Sequence, residues 1–251
     1  MEKRFAEGVR RKEGAHLEAR LGKAQHYRGK GAVNFAPMQR LVVLISGGGS
    51  NMLALARACQ EEAWPAKIVC VASNRADAAG LPKAESLGLA TQVLTPSDGE
   101  TRAAYDQRLG DFVGAFQPDW VVLAGFMRIL SAEFVARFSG KIINIHPSLL
   151  PAFPGLHTHR RALEAKVARH GATVHFVIPE LDAGPVIAQS DLEVLPEDTE
   201  SGLAARVLQL EHQLYPKALR MLLNGDVQFK AGKLDSAPLS ASRSTLPGSA
   251  P

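Results

Sequence analysis

Arg40–Ala63 reads RLVVLISGGGSNMLALARACQEEA, and the order of its parts decides the fold. Arg40 to Ile45 is a short leucine-rich, β-branched run, Ser46 to Asn51 is a glycine turn, and the apolar spacing after it is helical. Strand, glycine turn and helix in that order open a nucleotide-binding α/β unit. Glycines let backbone N–H groups crowd a phosphate at the helix N-terminus, where the dipole also favours an anion, and Ser50 or Asn51 is placed to cap the helix. The turn lacks the Lys-Ser/Thr of a nucleoside triphosphate loop and the third glycine of a dinucleotide fingerprint, so a monophosphate suits it better. A tight turn with no ligand is the plain alternative.

Outward from this unit, strands and helices alternate. Lys67 to Ala72 reads as a buried strand, followed by a helix from about Ala79 to Leu87 whose start is set near Leu81 by Pro82, tolerable only in a first turn. A short strand at Thr91–Leu94 and an amphipathic helix over Glu100–Phe116 lead to Pro118–Gly125, an apolar run of the kind buried on both faces of a parallel sheet. A helix over Ala132–Phe138 precedes Lys141–Pro154, KIINIHPSLLPAFP. Beyond it come an irregular loop at Pro151–Thr158, a helix over His159–Ala168, and antiparallel strands at Thr173–Ile178 and Pro185–Val194. Ser201–Leu223 is a long helix expected to break or kink at Pro216, and Val227–Lys230 is a last strand. The pattern predicts an α/β class: a Rossmann-like, mostly parallel sheet with helices on both faces and an antiparallel C-terminal part.

The chemistry gathers in Lys141–Pro154. Ile142–His146 is a strand, so Asn144 and His146 point to one side, and the prolines that follow end it. The pair sits at a strand's carboxyl end, where open α/β sheets keep their ligand crevices. An amide N–H can meet an oxygen gaining charge, and an imidazole can carry a proton near neutral pH. Asp182, in the turn LDAGP, adds a carboxylate able to relay protons. A strand-end pair satisfied by backbone groups is the bland alternative.

With 251 residues, 46% hydrophobic and 22% charged, the composition is that of an ordinary globular chain. No run approaches the length of a membrane span. Cys59 and Cys70 lack metal-ligand spacing and read as reduced thiols of a cytoplasmic protein. The net charge of +4 lies in residues 1–37, where nine Lys/Arg face four Asp/Glu, leaving about −1 for the remainder. That basic leader and the Ser/Ala/Pro-rich residues 231–251 are expected to be disordered, which leaves no nucleic-acid partner to the domain between them. His157 and His159 form a His-x-His on a loop with no third ligand at suitable spacing, so no metal is expected. His175, on an alternating strand, reads as structural, and His170 as exposed.

The runs SGGGSN (46–51), AGFMRIL (124–130), INIHPSLLPAFPGLHTHRRAL (143–163), HGATVHFVIPELDAGPVI (170–187) and EHQLYP (211–216) resemble the glycinamide ribonucleotide formyltransferases, folate-dependent enzymes of purine biosynthesis. The likeness spans roughly Met38 to Lys230. Asn-x-His-x-Ser-Leu-Leu-Pro with a later Asp is shared by formyltetrahydrofolate-using relatives in general; SGGGSN, PGLHTHRRAL and EHQLYP are particular to this branch. The resemblance implies a nucleotide-binding half over about 38–140 and a folate and catalytic half over about 141–230. It also implies small-molecule substrates and a monomer or homodimer.

By the same resemblance, Gly49, Ser50 and Asn51 hold a ribonucleotide phosphate. Glu211 takes the amine or ribose end of the glycinamide, although Val-Leu-Gln-Leu before it is less polar than is usual in the family. Arg102 meets the glutamate tail or ring of 10-formyltetrahydrofolate, and Met127, Arg128, Ile129 and Leu130 bond its pterin through their backbone. Asn144, His146 and Asp182 carry the transfer, and the loop His157–Arg160 acts as a lid. A formyltetrahydrofolate deformylase shares the Asn, His and Asp set but carries a regulatory domain in front. A methionyl-tRNA formyltransferase adds a C-terminal tRNA-binding domain. A non-catalytic folate- or nucleotide-binding protein is a further alternative.

Overall fold

The structure, a computed structural model, describes residues 37–230 and 233–234. The leader, Pro37 apart, and the tail, Lys233 and Leu234 apart, lie outside the described residues. Chain order runs β1 (Gln39–Ile45), α1 (Ser50–Glu61), β2 (Ala66–Ser73), α2 (Gly80–Ser86), β3 (Thr91–Val93), α3 (Arg102–Ala115), β4 (Trp120–Leu123), α4 (Ala132–Arg137) and β5 (Ile142–His146). It continues with α5 (Thr158–Glu164), β6 (Arg169–Phe176), β7 (Val186–Glu193), α6 (Glu200–Asn224), β8 (Phe229–Lys230) and β9 (Lys233–Leu234). β8 and β9 pair with each other; the other strands form one sheet in the order β3-β2-β1-β4-β5-β6-β7. β1 to β5 pair in parallel, while β5–β6 and β6–β7 are antiparallel. The chain leaves β1 toward β2 and β3 on one side and later returns to β4 on the other. The crevice at the carboxyl ends of β1 and β4 is therefore the topological switch point.

Strand alternation sorts the core into two layers. Leu41, Val43 and Ile45 of β1 join Val122, Ile143 and Ile145 beneath Met52 and Leu55 of α1 and the row Leu203, Val207, Leu214, Tyr215, Leu219 of α6. Val42 and Leu44 join Val121, Leu123 and Ile142 on the other face, against Tyr105, Leu109 and Val113 of α3 and Phe134 of α4. Near-continuous apolar strands result, because both faces of each are covered.

Three local expectations are corrected. α6 runs unbroken through Pro216. The proline removes one helical hydrogen bond, while ten side chains of the helix are buried, and tertiary packing outweighs that loss. The helix expected over 159–168 stops at Glu164, because Lys166 takes a left-handed conformation (φ 51°), and Arg169 already pairs with Glu193. β6 accordingly starts at Arg169 rather than Thr173. No described helix is long and apolar enough to cross a membrane.

Tyr215 ties α6 to the sheet. Its ring is fully buried and its hydroxyl meets the carbonyl oxygens of Leu123 and Ile143 at 3.0 and 3.3 Å. Tyr215→Phe, which deletes only those bonds, is expected to cost about 1–2 kcal/mol. Urea unfolding measures it as a lower midpoint at unchanged slope, and an unshifted midpoint would mean the hydroxyl contributes nothing.

Candidate active site

Two clusters of side chains face the switch point. The first surrounds the glycine turn. Gly49 sits at φ 68°, and a Cβ there would stand 2.7 Å from the Cα of Gly80, so the turn closes directly onto the start of α2. The Gly80 amide completes that contact by donating to the Gly47 carbonyl at 2.9 Å. Open space lies above Gly47 and Gly48, and Lys83 reaches across from α2 to donate to the Gly48 carbonyl at 2.9 Å. The first N–H groups of α1 lack helical partners and join this cationic mouth.

The expected side-chain cap is not formed. Gly49 is the N-cap residue of α1, without a side-chain bond, and Asn51 turns inward to donate from Nδ2 to Glu211 Oε2 at 2.6 Å. Both are buried, and burial pushes the Glu211 carboxyl up, against the opposing hydrogen bond from Asn51. The Asn51 side chain is thus turned to Glu211 and leaves the glycine turn only its backbone.

Ser46 links this turn to the loop after β4. Its hydroxyl donates to Asn74 Oδ1 at 2.6 Å and accepts from the Met127 amide at 2.8 Å, while its own amide donates to the Gly125 carbonyl at 3.0 Å. On that loop Met127 and Ile129 are 69% and 52% exposed, Leu130 is buried, and the Arg128 guanidinium lies 4.1 Å from the centre of the Tyr105 ring. Arg102 opens α3 nearby, exposed. Leu156 and Leu181, 70% and 52% exposed, lie on the loops that follow β5 and β6, and a Cβ at Gly155 would meet Leu181 Cδ2 at 4.0 Å, which brings the two loops together.

The second cluster is built by strand register. β5 and β6 pair so that Asn144 lies opposite His175 and His146 opposite Thr173. Thr173 then straps the proline-rich loop: its hydroxyl donates to the Ser148 carbonyl at 2.6 Å and accepts from the Leu150 amide at 3.1 Å and from Gln189 Nε2 at 2.9 Å. Held in this way, the loop carries the Phe153 carbonyl to 2.9 Å from His146 Nε2. Asp182 stands at φ 52° in the β6–β7 connection, with Oδ2 accepting from the Gly155 amide at 2.8 Å and lying 3.4 Å from His146 Nδ1. Gly184 allows no other turn, since a Cβ there would come within 1.8 Å of the Phe176 carbonyl oxygen.

Proton inventory follows from these contacts. A carbonyl only accepts, so His146 Nε2 carries hydrogen, and Nδ1 faces the Asp182 carboxylate at 3.4 Å. His175 is the opposite case. Its Nδ1 donates to the Phe176 carbonyl at 2.8 Å, leaving Nε2 to accept from Asn144 Nδ2 at 3.2 Å. Burial lowers the His175 pKa, against the Phe176 bond and the Asp182 charge, which act the other way. The ring is a neutral acceptor that orients the Asn144 amide and leaves that amide's second N–H free.

Sequence reasoning placed Asn144, His146 and Asp182, and the structure brings them together. It did not place His175 or Lys83 in the site. Alternation in TVHFVI signals a strand, but which residue stands opposite Asn144 is a matter of pairing that the sequence does not print. His170, expected to be exposed, is 1% exposed, because β6 begins early and carries it under α5. Its Nε2 lies 3.2 Å from His159 Nδ1, so His159 is occupied by a second histidine. No cluster of three metal-ligating side chains occurs among the described residues.

An open α/β sheet with an amide, an imidazole and a carboxylate at its switch point, beside a glycine turn, defines a group-transfer site acting on a carbonyl. Comparison with known proteins gives the family. Residues 39–219 match the family described as Formyl transferase. Phosphoribosylglycinamide formyltransferase of Escherichia coli (strain K12) is 49% identical over 189 residues, covering 75% of this chain and 89% of that protein. The crystal structure of glycinamide ribonucleotide transformylase 1 from Symbiobacterium toebii superposes with a TM-score of 0.76 at 39% identity, over 82% of this chain and 98% of that one. A formyltetrahydrofolate deformylase from Pseudomonas syringae pv. tomato superposes at 0.73 and 28% identity, over 80% of this chain but 66% of the other. The chain belongs to the formyl transferase family.

The His159–His170 pair makes stability pH-dependent. Burial, aided by His159 and His146, lowers His170 from its ordinary 6.5 to about 4, and burial likewise lowers His159. Between those pH values the unfolded chain binds the extra proton, so stability present above about pH 6.5 is lost as pH falls toward 4. Urea midpoints across that interval should fall, and His170→Phe should flatten the slope; an unchanged slope in the variant would exclude His170 as its source.

Proposed function

We propose that this chain passes the formyl group of 10-formyltetrahydrofolate to the primary amine of 5′-phosphoribosylglycinamide, a step of purine biosynthesis. It does so in the cytoplasm, as a monomer or homodimer, with no nucleic-acid, membrane or metal partner. The observation that carries this reading is the 3.4 Å approach of Asp182 Oδ2 to His146 Nδ1 beside Asn144, with both side chains less than a tenth exposed. The names borne by relatives such as the 49%-identical Escherichia coli protein agree with it.

On this reading the phosphate rests on the backbone N–H groups of Gly49, Ser50 and Asn51, with Lys83 adding a cation at the mouth of the turn. Glu211, held by Asn51, takes the amine or ribose end of the glycinamide. The folate lies between the exposed apolar residues Met127, Ile129, Leu156 and Leu181, its pterin bonded by the backbone from Met127 through Arg128 and Ile129 to Leu130, its tail near Arg102. Residues 38–140 thus supply most of the binding and residues 141–230 the chemistry, with His157–Arg160 as a lid.

The reaction needs no covalent enzyme intermediate. The amine nitrogen attacks the formyl carbon, and the oxygen that gains charge is met by the free N–H of Asn144 and by His146, its N–H passing from the Phe153 carbonyl to the substrate. Collapse of the tetrahedral centre breaks the bond to the folate nitrogen. The amine loses a proton and the folate nitrogen gains one, a transfer that the His146–Asp182 pair conducts directly or through water.

Turnover of Asn144→Ala, His146→Ala and Asp182→Ala should each fall by about 10² or more, the scale for such groups, with nucleotide binding kept. Near-native turnover in Asp182→Ala would remove it from the scheme. A second assay addresses the deformylase alternative: cofactor consumption should require glycinamide ribonucleotide. Consumption at the same rate without the nucleotide would make the protein a hydrolase.

A further inference from the structure

We propose that Asp106 is a positioning residue for folate recognition: its carboxylate fastens the far end of the 125–131 loop, on the helix face that carries Arg102 and beside the Tyr105 ring that seats Arg128. The inference rests on the reading of that loop as the cofactor's seat.

The loop is held at two points. Ser46 holds the near end through Met127 and Gly125, as described above. At the far end, Ser131, the N-cap residue of α4, donates its amide to Asp106 Oδ2 at 2.6 Å. Asp106 stands one helical turn after Arg102 on α3, hence on the same side. Its neighbour Tyr105 is fixed by a 2.8 Å bond from its hydroxyl to the Leu94 carbonyl and receives the Arg128 guanidinium on its ring. Consecutive residues of α3 therefore grip Arg128 and Ser131, leaving the backbone between them little freedom.

Asp106 is a costly choice for this position. It is 1% exposed, makes no ion pair within 4 Å among the described residues, and its Oδ1 has no hydrogen-bond partner among them. Burial raises its pKa; the Ser131 amide and the charges of Arg128 and Arg102 act in the opposite direction. An apolar side chain in its place would leave the buried Ser131 amide without its acceptor, at a cost of about 1–3 kcal/mol. Arg128 Nε is itself buried without a partner among the described residues, so the contact with the Tyr105 ring is what seats the guanidinium.

Asp106→Asn keeps size and an acceptor but removes the charge, and Asp106→Ala removes both. The KM for 10-formyltetrahydrofolate should rise about tenfold in Asp106→Asn and further in Asp106→Ala, with the KM for glycinamide ribonucleotide and the unfolding midpoint of Asp106→Asn unchanged. Arg128→Met should raise the same KM, and the Asp106→Asn/Arg128→Met double variant should lose less than the two singles combined. Where Asp106→Ala does not fold, the size-matched Asn variant carries the test. An unchanged folate KM in Asp106→Asn, or equal rises for both substrates, would overturn the inference while leaving the loop's role intact. No effect of Arg128→Met on folate KM would likewise overturn the inference, since the backbone bonds assigned to the loop do not need that side chain.

Discussion

A carboxylate and an imidazole, both withdrawn from water, form the contact on which the rest of this structure depends. Removing such charges from solvent costs several kcal/mol each, recovered only when geometry and further hydrogen bonds are good. The surrounding architecture supplies those conditions. Antiparallel β6 turns the sheet so that its connection to β7 passes over the end of β5. Asp182 accepts a left-handed backbone there, Gly184 lets the turn lie flat on Phe176, and the Gly155 amide satisfies the carboxylate from the opposite loop. Thr173 and Gln189 fasten that loop to β6 and β7. Phe153, His157 and Asp182 are three of the six non-glycine residues at positive φ among the described residues, and all three lie on loops around His146. Backbone strain concentrates where the polar centre must be held.

Two histidines within this centre have different neighbours. His175 has a carbonyl at one nitrogen and an amide donor at the other, which a neutral ring satisfies. His146 has a carbonyl 2.9 Å from one nitrogen and a carboxylate 3.4 Å from the other. The neutral ring fixes which end of the Asn144 amide faces it. On the proposed reaction the donor meant for the oxyanion is thus aligned before any substrate arrives, and preorganisation of this kind is what lets hydrogen-bond donors stabilise developing charge.

The sheet and its helices were legible because alternation is strict where strands are buried: β1 sends Leu41, Val43 and Ile45 to one layer and Val42 and Leu44 to the other. Asn144 and His146 were legible for the same reason, two residues apart at a strand end stopped by proline. His175 and His170 were not, because their environments are set by β6 pairing with β5 and β7, and register is a tertiary property. Pro216 misled because local propensity weighs one lost hydrogen bond, whereas the fold weighs a whole buried helix face. Asn51 misled because an amide near a helix start is a common cap, and nothing nearby in sequence announces a carboxylate 160 residues away.

That Asn51–Glu211 bond bears on how a transferase differs from a hydrolase built on one fold. An amine attacks only when uncharged, and it must outcompete water for the same carbon. Burial raises the Glu211 pKa, and a carboxyl oxygen in that place can accept a hydrogen bond from a neutral amine or a ribose hydroxyl. On the proposed reading the phosphate at the glycine turn and this carboxyl are neighbours, since Asn51 touches both. On the proposed reaction, binding the nucleotide's phosphate and orienting its amine are therefore parts of one rigid unit, and binding energy gained at the phosphate is available to position the attacking nitrogen. A bare water molecule has no such handle.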